Sequence, residues 1–233
     1  MHQARRAIIL AAGVGERMHP VTLRTPKPLV AVQGRRMIDT ILEALHRNGI
    51  TEIYVVVGYR REQFADLPRE YPGVRLIENP DYQTANNISS LYYARDHLEE
   101  AVILDGDQII RDPSILTPAF SRSGYCCRWV EEPTREWLLT VEDQTVTGCS
   151  RTGGARGWEL HSVSFWSAAD GARLRSHLEY EYELRQNRGI YWDDVALFCH
   201  PEDYRLGVRP IPEGSLIEID SYEELCAIDP SYQ

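Results

Sequence analysis

Lysine is almost absent from this chain of 233 residues. Of the 25 lysine and arginine residues, Lys27 is the only lysine and the other 24 are arginines. The two cations differ, because a lysine ammonium is a compact, mobile point charge, whereas a guanidinium is a broad planar fork. A single lysine in an arginine background therefore indicates a site that needs the ammonium, and its survival by chance stays open as the alternative.

Long apolar runs are also missing. No stretch approaches the ~20 apolar residues that a membrane-spanning helix needs,. The short basic segment at residues 1–6 is followed by an apolar run of only five residues, which is too short for a secretory signal,. We therefore predict a protein without membrane insertion.

Paired cysteines are missing as well. The five cysteines are odd in number and contain no C-x-x-C pair, which argues against a disulfide framework and against a zinc site,. We predict reduced thiols in a cytoplasmic protein. The cysteines are Cys126, Cys127, Cys149, Cys199 and Cys226.

The chain has no excess of positive charge. Its formal net charge is −10, which argues against nucleic acid as a partner because binding to a phosphate backbone needs a basic surface,. Residues 17–38 are the exception, with five lysine or arginine residues and no aspartate or glutamate. A local cationic segment in an acidic chain predicts a site for a small anionic ligand.

A glycine-containing loop precedes this cationic segment. Residues 7–11 are apolar and too few for a free helix, so they predict a buried strand,. Gly13 and Gly15 follow the strand and supply backbone freedom. The N–H groups of such a loop, together with Arg17 and Lys27, form a cradle for a polyphosphate.

Two familiar phosphate-binding motifs do not fit this loop. The dinucleotide fingerprint needs a third glycine where Met18 stands, and the P-loop needs a Gly-Lys-Ser/Thr sequence,. The pair of glycines alone is weak evidence, and a tight turn without a ligand stays open.

Short strands alternate with helical patterns through the first half of the chain. Strands are predicted over residues 7–11, 52–57, 74–77 and 101–104, with helices over 37–48, 61–67 and 87–98 between them. This alternation predicts an α/β fold, a Rossmann-like doubly wound and mostly parallel sheet. Ligands of such sheets lie beyond the carboxyl ends of the strands, so the glycine loop, Gly58 and residues 105–107 are expected to form one site.

The full string around the loop resembles a known family. The sequence L-A-A-G-x-G-x-R, followed ten residues later by T-P-K-P-L-V, resembles the nucleotidyltransferases that make sugar nucleotides and CDP-alcohols. The resemblance implies that the loop wraps the triphosphate and that Arg17 and Lys27 neutralise the reacting phosphates. The nucleotide-binding residues expected in this part of the chain are Leu10, Ala11, Ala12, Gly13, Gly15 and Gly58.

The second half of the chain has a different pattern. Shorter strands with turn residues between them predict a small β-rich portion that completes the sheet and binds the acceptor. Helices are predicted over residues 114–121, 168–188 and 221–228. We predict one domain over residues 1–233, with a nucleotide-binding half over about 1–113 and an acceptor-binding half over about 114–233.

Three aspartates are candidates for the chemistry. Asp105 and Asp107 follow a predicted strand, and alternation would point them to opposite faces unless the strand has already turned. Asp220 follows another short strand, where the alternative role is capping the next helix. Mg²⁺ is typically held by one or two carboxylates plus substrate phosphates. The resemblance assigns Mg²⁺ to Asp107 and Asp220, and we expect Asp105 at the nucleotide.

An amide-rich segment is expected to bind the nucleotide base. The sequence N-P-x-Y-x-x-x-N-N-x-x-S-L is similar to a segment of the phosphocholine cytidylyltransferase branch. Asn86, Asn87 and Ser89 can read a base edge through hydrogen bonds. Capping of the following helix is the alternative role for one of them.

Aromatic residues and acids are expected to bind the acceptor. The segments E-W-L-L, S-V-S-F-W-S and I-Y-W-D-D also resemble the phosphocholine branch. Aromatic faces with nearby carboxylates recognise a quaternary ammonium, and they can also hold a primary ammonium. Burial of the tryptophans in the core stays open as the alternative. The predicted acceptor residues are Glu136, Trp137, Trp166, Tyr191, Trp192 and Asp193.

The reaction implied by the resemblance is attack of a phosphate on the α-phosphorus of a nucleoside triphosphate, with release of pyrophosphate. We predict a Mg²⁺-dependent cytidylyltransferase that uses CTP and phosphocholine, or a close aminoalkyl phosphate or phosphonate. A sugar-1-phosphate nucleotidyltransferase and a non-catalytic nucleotide-binding module stay open as alternatives. The oligomeric state is not set by the sequence, and a homodimer stays open.

Overall fold

A nine-stranded sheet organises the fold, and three two-stranded ladders border it. The computed structural model describes residues 1–233. The strands are β1 His2–Gln3, β2 Arg6–Ala11, β3 Ala31–Val32, β4 Arg35–Arg36, β5 Glu52–Val57, β6 Val74–Glu78, β7 Ala101–Asp105, β8 Gln108–Ile110, β9 Ala119–Phe120, β10 Gly124–Val130, β11 Leu138–Glu142, β12 Thr145–Ser150, β13 Gly157–Trp166, β14 Gly207–Pro210 and β15 Leu216–Glu218. The α-helices are α1 Met37–Arg47, α2 Leu67–Glu70, α3 Ile88–Tyr93, α4 Ala168–Glu179 and α5 Tyr222–Ile228.

Four strands form a parallel block in the order β7–β2–β5–β6. They are rich in buried apolar residues, as expected for parallel strands with helices on both faces. Strand β2 lies between β5 and β7, so the strand order reverses at its carboxyl end. The glycine loop begins there, and the predicted α/β fold class is confirmed.

Helices cover both faces of the block. A core cluster of 28 buried residues includes Ile41 of α1, and a second cluster of 22 includes Leu91 of α3 and Leu174 of α4. Ile9 of β2 belongs to the first cluster and Ile8 to the second. This is the two-residue period of a strand that is buried on both sides.

Strand β13 joins the two halves of the chain. Residues Val163–Trp166 pair antiparallel with β7, and β11 pairs with Trp158 and Glu159. Strand β10 pairs with β13 over residues 157–165. Strands β11 and β12 then extend the sheet antiparallel. One continuous strand therefore brings the β-rich second half to the carboxyl edge of the parallel block.

The C-terminal segment returns to the glycine loop. Strand β15 pairs antiparallel with β8, which directly follows β7. Ile219 and Leu225 lie in a six-residue buried cluster with Met18 of the loop. This packing holds Asp220 beside the loop.

Four predicted helices differ from the structure. Residues 61–67 form a 3₁₀ turn, Arg61–Phe64, before α2 begins at Leu67. The helix predicted over 87–98 is α3 followed by a 3₁₀ turn, Arg95–His97.

Residues 114–121 form a 3₁₀ turn, Pro113–Leu116, and strand β9 instead of a helix. Pro118 explains the difference, because proline lacks an N–H and disfavours the helical conformation of the residue before it. The helix predicted over 168–188 ends at Glu179 and continues as a π-helical turn, Tyr180–Leu184.

None of the helices combines the length and the apolar composition needed to cross a membrane. All five cysteines are free.

Candidate active site

A cavity of about 560 Å³ lies at the carboxyl edge of the parallel strands. Its volume is typical of small-molecule sites. The glycine loop, the ends of β2 and β7, the second half of the chain and the C-terminal segment all contribute to it. The lining residues are Leu10, Ala11, Ala12, Gly13, Gly15, Glu16, Arg17, Lys27, Pro28, Asn87, Ser90, Asp105, Asp107, Glu136, Trp137, Leu160, Ser162, Tyr191, Asp193, Glu218 and Asp220.

Lys27 is held rigidly against the glycine loop. Pro26 and Pro28 flank it, and each proline fixes its own backbone φ angle. Lys27 is buried, with 7% of its surface exposed. Gly15 has a φ of +69°, and a side chain there would come within 3.2 Å of Lys27 Cβ. The loop therefore needs glycine at this position, both for its backbone conformation and for its packing on the lysine.

A network of ion pairs connects the loop to the two predicted metal ligands. Lys27 Nζ lies 2.6 Å from Asp107 Oδ2 and 2.9 Å from Asp220 Oδ1. Arg17 lies 3.0 Å from Asp220 Oδ1. Burial by itself lowers the pKa of Lys27, but the charges of Asp107 and Asp220 outweigh it and raise the pKa. The ammonium therefore stays charged inside the cavity, next to the N–H groups of the loop.

Three carboxyl groups converge beside this network. Asp105, Asp107 and Glu218 each place one oxygen within 4.8 Å of the others. Strand β7 ends at Asp105 and the chain turns at Gly106, so strand alternation no longer separates the two aspartates. Burial raises the pKa of Asp105 and of Glu218 well above the ordinary carboxyl value, and the charge of Asp107 raises both further.

This set of acids fits a hard divalent cation. Asp107 Oδ1 is buried and has no hydrogen-bond partner. Crowded carboxylates repel one another, and a cation that takes oxygen ligands relieves the repulsion. Asp107 and Glu218, with Asp105 beside them, are the residues that would hold such an ion. Asp220 is tied to Asp107 through their shared contact with Lys27.

Another part of the lining is aromatic and acidic. The rings of Trp137 and Tyr191 lie 5.7 Å apart in an edge-to-face arrangement. Asp193 is buried, and its Oδ1 has no hydrogen-bond partner. Burial raises the pKa of Asp193 to about 7, with an opposing effect of the Tyr125 hydroxyl that faces it and a further rise from the charge of Asp194. Ring faces beside a carboxylate can hold a ligand cation.

Residues 7–158 match the family model of the MobA-like NTP transferase domain. The matched region begins at β2 and includes the glycine loop, Lys27 and the aspartates at the end of β7, which are the residues that meet in the cavity. The chain belongs to this family. It is a nucleotidyltransferase.

This NTP transferase is similar to cytidylyltransferases along nearly its whole length. It is 39% identical over 228 residues to the 2-aminoethylphosphonate cytidylyltransferase of Lancefieldella rimae, and the alignment covers 97% of this chain and 92% of that relative. It is 33% identical over 219 residues to the choline-phosphate cytidylyltransferase of Streptococcus pneumoniae, with 94% of each chain covered. The solved structure of the CTP:phosphocholine cytidylyltransferase from Streptococcus pneumoniae superposes with a TM-score of 0.88 at 31% identity and covers 98% of this chain and 99% of that one. The resemblance drawn from the loop motif is confirmed.

Most of the site residues predicted from the sequence of this NTP transferase line the cavity. Their individual roles stay predictions. The predicted residues that line it are Leu10, Ala11, Ala12, Gly13, Gly15, Arg17, Lys27, Asn87, Asp105, Asp107, Glu136, Trp137, Tyr191, Asp193 and Asp220.

Two predicted acceptor residues lie elsewhere. Trp166 and Trp192 are 0% and 1% exposed and belong to the core cluster that includes α3 and α4. Their ring centroids are 6.1 Å apart, and Trp166 Nε1 donates to Ser164 Oγ at 2.9 Å. The structure therefore corrects the aromatic set, because these two rings pack against each other inside the protein.

Gly58, Asn86 and Ser89 do not line the cavity either. A side chain at Gly58 would come within 2.9 Å of the Ala12 carbonyl, so this glycine allows the end of β5 to approach the loop. Asn86 Oδ1 accepts a hydrogen bond from Asn87 N at 2.7 Å. Ser89 donates to the Asn86 carbonyl at 2.8 Å. The two polar residues therefore stabilise the turn before α3.

Six cavity residues were missed by the sequence interpretation, namely Glu16, Pro28, Ser90, Leu160, Ser162 and Glu218. Glu218 lies two residues before Asp220 in I-E-I-D, and the two-residue period of β15 was the pattern that could have identified it. Ser90 lines the cavity where Ser89 was predicted, and Ser162 enters it from β13. Nothing in the local sequence distinguishes Ser90 from Ser89.

Proposed function

We propose that this enzyme transfers CMP from CTP to a small acceptor that carries a phosphate or phosphonate at one end and an ammonium group at the other. The observation that carries the proposal is the lining of one cavity. It combines the phosphate-binding loop and Lys27 with Trp137, Tyr191 and Asp193. The likeness to the 2-aminoethylphosphonate and choline-phosphate cytidylyltransferases supports both CTP and this class of acceptor.

The ammonium group of the acceptor is proposed to be a primary one. Asp193 Oδ1 is buried and makes no hydrogen bond of normal length, although the Tyr125 hydroxyl faces this carboxylate, and an N–H donor from the ligand would stabilise it,. A quaternary ammonium has no N–H and is held by aromatic faces, but Trp166 and Trp192 lie in the core, which leaves Trp137 and Tyr191. 2-Aminoethylphosphonate and phosphoethanolamine therefore fit better than phosphocholine.

The proposed reaction is a displacement at phosphorus. An acceptor phosphate or phosphonate oxygen forms a bond to the α-phosphorus of CTP. The bond from that phosphorus to the oxygen bridging to the β-phosphate breaks, and pyrophosphate leaves with the electron pair. The second pKa of a phosphate monoester is about 6, so the attacking oxygen is already ionised and needs little help from a base.

The protein lowers the repulsion between the two anions. Lys27 supplies a buried positive charge, and the N–H groups after β2 supply hydrogen-bond donors,. Arg17, with 71% of its side chain exposed, is free to follow the triphosphate. Mg²⁺ held by Asp107 and Glu218, with Asp105 beside them, would add positive charge at the phosphate oxygens.

A sugar-1-phosphate acceptor fits the cavity less well. A sugar ring is uncharged and would leave the carboxylates of Glu136 and Asp193 without the counter-charge that an ammonium supplies. A silent nucleotide-binding module is disfavoured because Lys27, Asp107 and Asp220 are in direct contact in one cavity.

The test is pyrophosphate release with Mg²⁺. CTP, UTP, dTTP and ATP are each paired with 2-aminoethylphosphonate, phosphoethanolamine, phosphocholine and glucose-1-phosphate. We expect release with CTP and the primary amines, and slower release with phosphocholine. Release with glucose-1-phosphate but not with the amines would overturn the proposed acceptor class. A preference for phosphocholine would overturn the role of Asp193 while leaving CMP transfer in place.

Acceptor binding is expected to depend on pH through Asp193. Because burial raises the pKa of this carboxyl to about 7, its negative charge develops as the pH rises through that value. The KM for the aminoalkyl acceptor should therefore fall between about pH 6 and pH 8. The Asp193→Asn variant cannot ionise and should show a higher KM with a flatter profile.

The difference between the two profiles isolates Asp193, since the acceptor phosphate titrates equally with both proteins. Asp66→Asn is the matched control, because Asp66 is an exposed residue before α2 and lies outside the cavity. It should keep the wild-type profile. A wild-type profile in Asp193→Asn would remove Asp193 from acceptor binding.

A further inference from the structure

Two histidines and an aspartate form a cluster outside the active-site cavity. His177 lies near the end of α4, and His200 and Asp203 follow the π-helical turn Val195–Cys199. One ring nitrogen of each histidine and one oxygen of Asp203 lie within 4.8 Å of one another. None of the three residues lines the active-site cavity.

Each imidazole uses one nitrogen for a polar partner. His177 Nδ1 lies 2.8 Å from Tyr204 Oη, and His177 Nε2 lies 3.5 Å from Asp203 Oδ2. His200 Nε2 lies 3.0 Å from Oε1 of Glu181, whose side chain is fully buried. The tyrosine and the glutamate therefore leave His177 Nε2 and His200 Nδ1 available for a further ligand.

Glu181 behind His200 has the arrangement that orients metal-binding histidines. A carboxylate that accepts the proton of one ring nitrogen fixes the tautomer and leaves a lone pair on the other nitrogen. Glu181 is itself held by Asn187 Nδ2 at 3.0 Å. The rings of His177 and His200 stack at 3.9 Å with an interplanar angle of 12°. Two imidazolium rings would repel each other at this distance, so the stack favours neutral rings. Because the lone pair of an imidazole lies in its ring plane, one ring must turn before both can reach the same ion.

We propose that His177, His200 and Asp203 bind one first-row divalent cation, for which Zn²⁺ is the test ion. Two imidazoles with a carboxylate suit Zn²⁺, whereas Mg²⁺ takes oxygen ligands. Ligand atoms lie ~2.0–2.2 Å from Zn²⁺, so the three donors, which lie within 4.8 Å of one another, draw together around the ion as one imidazole turns out of the stack. Asp203 has 47% of its side chain exposed and is free to move toward the ion.

Nearby positive charge is largely neutralised. Arg173 faces His177 but is paired with Asp170 at 2.6 Å. Arg185 lies 3.5 Å from Glu181. The carboxylates of Asp203 and Glu181 are the negative groups that face the two rings, and they favour a cation between them.

A bound ion would connect α4 to the segment that carries the acceptor wall. His200 and Asp203 continue the chain from Tyr191 and Asp193 through the turn Val195–Cys199. Fixing this segment on α4 would stabilise that wall without adding a ligand to the cavity. The site is independent of the carboxylates proposed for the catalytic cation.

The test is Zn²⁺ binding by the whole chain after removal of metals with a chelator and dialysis. Excess Mg²⁺ is present to occupy the carboxylates of the active site. Calorimetric titration should show one Zn²⁺ per chain. Zn²⁺ at about 100 times its Kd should raise Tm by roughly 5–10 °C. His200→Ala and Asp203→Ala should each abolish both effects.

Asp203→Ala keeps the test decisive if His200→Ala does not fold, because Asp203 is half-exposed and its carboxylate contacts only His177. His2→Ala is the matched control, since His2 is an exposed histidine in β1. It should bind Zn²⁺ like the wild type. Absence of Zn²⁺ binding in excess Mg²⁺ would overturn the proposal, as would unchanged binding by Asp203→Ala.

Discussion

Replacing Lys27 by methionine is expected to lower kcat/KM for CMP transfer by about 10²–10³-fold. Lys27 is the only buried cation of the cavity, and its ammonium lies 2.6 Å from Asp107 and 2.9 Å from Asp220. Without it, the carboxylates would repel the triphosphate and the attacking phosphate. Steady-state rates of pyrophosphate release measure the effect, and methionine keeps the length of the side chain.

Circular dichroism and Tm establish that the Lys27→Met variant is folded. Lys27→Arg keeps the positive charge but changes the shape of the side chain. The stem of Lys27 packs tightly on Gly15, where an added Cβ would lie 3.2 Å from Lys27 Cβ. We expect Lys27→Arg to recover only part of the activity. Arg24→Ala is the matched control, since Arg24 is an exposed cation of the same segment that does not line the cavity. Near-normal turnover in folded Lys27→Met would contradict the proposed chemistry.

Replacing Asp107 by asparagine is expected to lower kcat by roughly 10²–10³-fold and to raise the Mg²⁺ concentration needed for half-maximal rate. Asp107 Oδ1 is buried without a partner, and Asp107 Oδ2 is bound to Lys27. Asparagine keeps the shape but removes the charge that would attract the cation. Rates measured over a Mg²⁺ titration separate the loss of metal affinity from the loss of turnover.

Asp143→Asn is the matched control for this series. Asp143 lies in an exposed turn with a φ of +45°, a conformation that asparagine tolerates, and it is outside the cavity,. It should show the wild-type Mg²⁺ dependence. An unchanged Mg²⁺ titration in Asp107→Asn would exclude Asp107 from the metal site.

The tryptophans show why sequence patterns predicted too many residues for the cavity wall. Trp137 and Trp192 both lie in short aromatic and acidic segments, yet Trp137 lines the cavity and Trp192 is 1% exposed. In Tyr191–Trp192–Asp193 the outer residues line the cavity and the middle residue enters the core. Which side chain faces the ligand depends on how this turn packs against α3 and α4, and no local pattern encodes that packing.

Asp105 and Asp107 are residues that the alternation of a strand would separate but that the structure brings together. Strand β7 ends at Asp105, and both residues enter one cavity. Gly106 N donates to the Leu10 carbonyl at 2.9 Å, so the turn packs directly on β2. The pair was predicted from its place at the end of a strand, and its geometry comes from the contact between two strand ends.

The sequence by itself determined the parallel α/β sheet and the glycine loop, because both depend on short-range properties. Apolar runs form the strands, Gly15 permits a positive φ, and the prolines on either side of Lys27 limit its backbone,. Only the tertiary structure decided that Asp220, 193 residues from Lys27, contacts it at 2.9 Å. It also decided that Glu218 lies beside the other carboxyl groups and that two of the predicted tryptophans are buried in the core. These outcomes depend on which distant apolar surfaces bury each other, as Ile219 and Leu225 do with Met18, and burial of that kind is a property of the whole packed chain,.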